Sequence, residues 1–372
     1  MSKKKEEQKN NYYSLAPILK KGKGCKYYMI YGQRSNGKTY AVLEHIIKEY
    51  ISDNKQGAIL RRMREDFVGK RGRTMFDNLI PRLPELTNDC WNSIKYYSKT
   101  WIFVKVDDEG NIINEDIKPF CYGFALSEQE HDKSSSYPYI KNVLFDEFIS
   151  RSSYLPEEFV DYMNVLSTII RNKDDVKVFM CGNTINKYCP YFKEMGIKHY
   201  KDMKKGDIDI YEYANRDLKV AVEWAEAAPA TRKSNAYFAF DNPKLSMITS
   251  GDWELDVYPH APCKFKNPDV KFRFFINWDD LIYEGDLVRM PDKHMEFLFI
   301  HEKTTPIKYP EKDIIFSADY SAKRNHYRNI MKNYNPLVHK LGVMFSADRV
   351  FYQNNEVGNA ISNYLEWCRI GG

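Results

Sequence analysis

The chain has 372 residues, enough for roughly two or three domains. Its 43% apolar and 15% aromatic content can fill sizeable cores, which excludes a disordered or collagen-like chain. The net charge of +5 is lopsided: residues 1–28 hold eight lysines against Glu6 and Glu7, or +6, so everything after residue 28 sums to −1.

In chain order, residues 1–26 read as a polar, Lys-rich N-terminal arm. Residues 27–31 (YYMIY) form a short apolar strand, and residues 39–51 place Val42/Leu43, Ile46/Ile47 and Tyr50/Ile51 at helical spacing. Ala58-Ile59-Leu60 is a second strand. Residues 101–106 and 112–113, separated by Asp107-Asp108-Glu109-Gly110-Asn111, predict a hairpin. Val143-Leu144-Phe145 is a fully apolar strand ending in acids. Residues 157–170 predict a helix, and residues 176–181 another buried strand.

Strands alternating with helices predict a parallel α/β sheet over 27–200. Residues 201–250 are charged, then Ala-rich, then turn-rich, and read as a linker region with one or two helices. Residues 251–372 predict a smaller α+β domain with strands at 270–278, 296–301 and 313–318. Two helices close it, the last with Val357, Ile361, Tyr364, Leu365 and Cys368 on one face.

Seven cysteines without a CxxC pair, and eight histidines that do not cluster near them, argue against zinc and for reduced thiols. No apolar run approaches the ~20 residues of a membrane span. The basic N-terminus has no apolar stretch behind it, so no signal peptide is expected. The expectation is a soluble, intracellular protein with no membrane partner.

Gly32-Gln33-Arg34-Ser35-Asn36-Gly37-Lys38-Thr39 is a full G-x-x-x-x-G-K-[ST] match, placed between a predicted strand and a predicted helix. The glycines let backbone N–H groups converge on phosphate oxygens, and the helix N-terminus adds partial positive charge. Lys38 is expected to reach the β/γ phosphates of ATP, and Thr39 to ligate Mg²⁺. Asp146 and Glu147 follow the apolar strand 143–145, a Walker B pattern: Asp146 for the metal, Glu147 for polarising the attacking water. Asn183, in Cys181-Gly182-Asn183-Thr184, ends the next strand and is the candidate γ-phosphate sensor. Arg171, near the end of the helix after Walker B, can cross to a neighbouring site in an oligomer, or simply match the helix dipole.

This constellation resembles the DNA-packaging ATPases of phi29-like podophages, a branch of the terminase-type ring translocases. Residues 31–39, 59–62, 133–138, 143–149 (VLFDEFI), 159–172 and 181–183 carry the resemblance, which covers about 27–195 well. It implies an ASCE P-loop NTPase domain followed by a C-terminal domain like a degenerate RNase H-like nuclease. It implies a homomeric, pentameric ring docked at the procapsid portal vertex in the host cytoplasm. It also implies a packaging RNA as partner and ATP-driven movement of double-stranded DNA. Arg171 becomes a trans-acting finger, Arg34 matches an arginine in the family's phosphate loop, and Lys133 is implied at the subunit interface.

Larger terminases cut DNA with clustered acids. Here Asp279, Asp280, Asp319 and Asp348 are scattered candidates, and no nuclease activity is expected, since two-metal cleavage needs ions roughly 4 Å apart. Contact with DNA should be to phosphates. Candidate contacts are Arg61, Arg62, Arg64, Lys70, Arg71 and Arg73; a second run of Lys198, Lys201, Lys204 and Lys205; and a third of Lys323, Arg324, Arg328, Lys332 and Lys340. Each run also fits a plain solvated surface, and the third also fits RNA or portal. The rival readings are a large terminase with an active nuclease, and another ASCE translocase or helicase.

Overall fold

Mostly apolar, buried strands build the centre of the first sheet. The computed structural model describes residues 12–128, 135–150, 154–155, 157–184, 189–214, 217–226, 258–290, 292, 294–332 and 335–370. The chain divides into two units, Met1–Glu254 and Leu255–Gly372.

Ten strands form the sheet of the first unit: β1 (Tyr27–Gly32), β2 (Gln56–Arg61), β3 (Ser93–Tyr97), β4 (Thr100–Val106), β5 (Ile112–Glu115), β6 (Cys121–Ala125), β7 (Ile140–Asp146), β8 (Lys177–Asn183), β9 (Ile208–Tyr213) and β10 (Leu218–Ala225). Their order is β3-β4-β6-β2-β7-β8-β1-β10-β9, with β5 paired to β4. The six strands from β6 to β10 in that order are parallel. Antiparallel strands extend both edges.

A parallel sheet needs crossover helices on its faces, so its strands are mostly apolar. Helices α1 (Ala16–Lys21) and α2 (Lys38–Asp53) lie on one side, where Val42, Leu43, Ile46 and Ile47 pack on Tyr28, Ile30, Leu144 and Phe179. Two short helices, α3 (Lys70–Arg73) and α4 (Leu83–Leu86), sit between β2 and β3. On the other side α5 (Glu158–Ile170) and α6 (Pro190–Glu194) bring Tyr162, Val165, Leu166 and Tyr191 onto Met29, Tyr31, Phe145 and Met180. The parallel strands all end at one sheet edge, which gathers Gly32, Arg61, Asp146 and Asn183.

The predicted hairpin is β4–β5. One expectation is corrected: within the supposed linker 201–250, residues 208–225 are strands β9 and β10. Ala221–Ala225 is strand rather than helix, because β10 completes the sheet beside β1. Residues 227–250, including Pro229 and the 241–243 turn, lie outside the described residues.

The second unit holds a six-stranded sheet: β11 (Val270–Trp278), β12 (Leu281–Met290), β13 (Met295–Glu302), β14 (Ile314–Ser317), β15 (His326–Tyr327) and β16 (Val350–Tyr352), in the order β15-β14-β11-β12-β13-β16. Strands β11, β12 and β13 form an antiparallel meander, and β14, β15 and β16 add in parallel. Helices α7 (Pro336–Ser346) and α8 (Asn355–Ile370) close the unit, with Trp278 of β11 against Tyr364 of α8. Strand β12 escaped the sequence reading because Glu284, Gly285 and Asp286 interrupt its apolar pattern.

Candidate active site

The loop 32–39 joins β1 to α2 in the conformation its glycines allow. Gly37 caps α2 at φ 95°, in the left-handed region open to glycine. At Gly32 a Cβ would stand 2.7 Å from the Ala225 carbonyl oxygen. Lys38 is buried at 5% exposure, and its Nζ donates to Gln33 O (2.6 Å), Asn36 Oδ1 (3.1 Å), Gly32 O (3.4 Å) and Asn183 Oδ1 (3.4 Å). Burial pulls its pKa down to about 8, against the raising effect of Cys181, Asp146 and Glu223.

Thr39 Oγ1 donates to Asp146 Oδ1 at 2.7 Å. Arg61, at the end of β2, bridges both acids: Nη2 to Asp146 Oδ2 at 2.6 Å and Nη1 to Glu147 Oε2 at 2.9 Å. Glu147 sits at φ 61° with its side chain 61% exposed. Between loop residues 34–40, Asp146, Glu147 and Asn183 opens a cavity of about 200 Å³. Two buried donors beside these acids, Asn36 Nδ2 and Arg61 Nε, have no hydrogen-bond partner. The loop's backbone N–H groups, the N-terminus of α2 and the Lys38 ammonium supply the donors and positive charge that phosphate oxygens take. The donor set therefore fits a polyphosphate, and the hydroxyl of Thr39 with the carboxylate of Asp146 offers the hard oxygens Mg²⁺ takes.

Arg171 stands at the other end of α5. Glu158, at the start of that helix, pairs with Arg62, whose Nη1 donates to Glu147 O at 3.2 Å. Thirteen residues of helix span about 20 Å, so Arg171 lies roughly that far from its own chain's Glu147. Its Nη2 donates to Ser135 O at 2.7 Å, within the 133–138 segment. Lys133 itself lies outside the described residues.

Two members of the first basic run are corrected. Arg61 is the bridge just described. Arg62 is a half-buried bidentate partner of Glu158 (2.7 and 2.9 Å), a carboxylate also bonded by Tyr191 Oη and Leu155 N. Both guanidiniums are engaged by carboxylates of their own chain. The signal was invisible because Glu158 is 96 residues away in sequence. Arg64, Lys70, Arg71 and Arg73 are exposed, as are Lys198, Lys201, Lys204 and Lys205. In the third run Lys323 pairs with Glu311 (2.8 Å), Lys340 pairs with Glu296 (3.0 Å) and Arg328 lies over the Trp367 ring, while Arg324 and Lys332 are exposed.

Of the scattered acids of the second unit, Asp319 stands just past the end of β14 and the other three are turn residues. Asp279 and Asp280 form the two-residue β11–β12 turn at φ 54° and 62°, and Asp348 sits at φ 53°, a conformation aspartate tolerates. Among the described residues, the His/Cys/Asp/Glu group with metal-ligand spacing is instead Glu284, Asp286 and His301, with ligand atoms within 4.8 Å of one another. Arg273 already holds both carboxylates (3.2 and 3.0 Å), and Lys303 holds Glu284 (2.9 Å).

These features define the class: an α/β chain with the fold of viral DNA-packaging motor subunits. It aligns over 95% of its length with a chain of the bacteriophage Phi-29 viral genome packaging motor assembly (TM-score 0.57, 17% identity, 98% of that chain). It aligns over 97% with the Phi-28 gp11 DNA packaging motor (TM-score 0.54, 19% identity, 97% of that chain). The chain belongs to the Podovirus DNA encapsidation protein (Gp16) family, whose model matches residues 7–248. The DNA packaging protein of Bacillus phage phi29 is 26% identical over 348 residues, covering 92% of this chain and 93% of that protein. That of Bacillus phage B103 is 25% identical over 171 residues, 45% of this chain and about half (47%) of the relative.

Proposed function

We propose that the chain is an ATP-hydrolysing motor subunit that drives double-stranded DNA into a preformed procapsid. It works as a homomeric, five-membered ring at the portal vertex, in the host cytoplasm. The observation that carries the hydrolytic half is the 2.7 Å contact between Thr39 of the glycine-rich loop and Asp146 at the end of β7. Placement of β8 between β7 and β1 supports an ASCE P-loop NTPase.

Residues 32–38 cradle the phosphates of ATP, with Lys38 reaching the β and γ groups. Thr39 and Asp146 would hold Mg²⁺, which would supply neutralisation of developing phosphate charge. Glu147, exposed at the cavity, orients and polarises the attacking water, and Asn183 reads the γ-phosphate from β8. Arg171 is too far from its own site to act in cis. Its place beside the 133–138 segment supports a trans role in which it and Lys133 complete a neighbour's site. Arg64, Lys70, Arg71 and Arg73 contact DNA phosphates without reading sequence. The segment with Arg324 and Lys332 meets packaging RNA or portal. The second unit is a degenerate RNase H-like domain without nuclease activity, and its Glu284–Asp286 pair is neutralised by Arg273 and Lys303.

The test is ATP turnover by purified protein with procapsids and DNA. Lys38→Ala is expected to abolish both turnover and packaging; unchanged activity overturns the site. Arg171→Ala subunits are expected to regain turnover when mixed with Glu147→Gln subunits, and failure of that rescue overturns the trans role.

A further inference from the structure

A second carboxylate lies on the other side of Lys38. Strand register sets Asp146, Cys181, Ile30 and Glu223 in one row across β7, β8, β1 and β10, all on the α2 face of the sheet. Glu223 is 6% exposed, an unusual setting for a carboxylate. Its Oε2 accepts a 2.5 Å hydrogen bond from Tyr13 Oη. Tyr13 also belongs to the segment that lies against the phosphate loop: its N–H donates to Asn36 O at 2.9 Å. The missing Cβ of Gly37 faces Tyr12 Cβ at 3.3 Å and Tyr13 N at 3.5 Å. Asn36 in turn holds Lys38 through Oδ1, at 3.1 Å from Nζ and 3.3 Å from the backbone N.

We infer that Tyr13 and Glu223 are positioning residues for the proposed nucleotide site, a clamp that presets the phosphate loop by tying residues 12–13 to β10. The inference rests on the reading of residues 32–39 as an ATP site. The chain of contacts runs Glu223 to Tyr13, Tyr13 to Asn36, and Asn36 to Lys38. A loop held in its bound shape loses less freedom on binding, so the clamp acts on affinity rather than on the hydrolytic step. Neither residue is placed to touch the reacting atoms. Glu223 is a sensitive anchor because burial raises its pKa to about 7, while Tyr13 and Lys38 act in the lowering direction. The titratable groups that face it are Tyr13 from the N-terminal segment, Lys38 from the loop and Cys181 from β8.

The experiment is titration of the full-length protein with Mg²⁺ and a non-hydrolysable ATP analogue, from pH 6 to 8.5, alongside thermal melting. Tyr13→Phe keeps the ring and removes the hydroxyl, so it is expected to fold; Glu223→Gln keeps the shape and removes the titration. Both are expected to weaken binding three- to tenfold, with kcat at saturating ATP changed less than twofold. The wild-type affinity curve is expected to diverge from the Glu223→Gln curve as pH passes 7. A purely structural role moves the melting temperature but leaves the two curves parallel, and that result overturns the inference. Lys38→Ala separates the two readings. If it binds nucleotide normally, the ATP-site assignment itself fails. If it loses binding while Tyr13→Phe and Glu223→Gln bind as wild type at every pH, only the clamp fails.

Discussion

Each unit of this molecule brings two carboxylates beside an arginine, and the two arrangements differ in what they leave open. In the first unit Asp146 and Glu147 are consecutive and lie at the end of a parallel strand. Arg61 reaches both, yet they border an open cavity lined by the phosphate loop and Asn183. In the second unit Glu284 and Asp286 are two residues apart, inside strand β12, and point to one face of the sheet. There Arg273 from β11, His301 from β13 and Lys303 just past the end of β13 converge on them. A strand end can deliver charge to a ligand because the chain leaves the sheet there. Mid-strand acids are surrounded by cross-strand neighbours, which neutralise them.

The sharpest break between the two is functional. Lys38→Ala or Glu147→Gln is expected to lower ATP turnover by about 10³-fold, whereas Glu284→Gln changes it less than twofold. Plasmid incubated with the protein and Mg²⁺ or Mn²⁺ should stay uncut, as gel electrophoresis will show; nicking that disappears in Asp286→Asn would erase the contrast.

Next in size is the support behind the open site. Glu158 is almost fully buried and its partner Arg62 lies beside Glu147. Glu158→Ala removes that guanidinium's only carboxylate partner among the described residues, leaving it the Glu147 and Phe148 carbonyls, and is expected to cost about 3–5 kcal/mol in urea denaturation of the first unit. By comparison, Asp286→Asn should cost about 1–2 kcal/mol in the second unit, because Arg273 is 45% exposed and water screens it.

The smallest effect is a pH slope. A hydrogen bond to Asp286 holds His301 above its ordinary value, outweighing burial. A folded-state pKa above the unfolded one gives stability that is complete below about 6.5 and is lost as pH rises through the folded value. Melting of the second unit is therefore expected to weaken on going from pH 6 to 8, and His301→Gln should flatten that slope. An unchanged slope in the variant would assign the pH dependence to another group.

Legibility followed the range of the interactions. The glycine-rich loop, the strand before Asp146 and the helix over 158–170 are local patterns, and each stands within a residue or two of its expected place. Strands β9 and β10 were read as linker because short charged stretches separate them, and only pairing with β1 makes them sheet. Strand β12 was hidden by acids whose compensation comes from β11 and β13.

The sequence by itself determined that a phosphate-cradling loop stands between a strand and a helix, with two acids at the end of another apolar strand. Glycine stereochemistry and apolar periodicity act over a few residues, so they can be read without a fold. Tertiary structure decided which charges face each other. It turned Arg61 and Arg62 inward, left Arg64, Lys70, Arg71 and Arg73 at the surface, and brought Tyr13 across 210 residues to Glu223. Formal charge sums over the whole chain, but Coulomb attraction and desolvation depend on distance and burial, which only the folded chain sets.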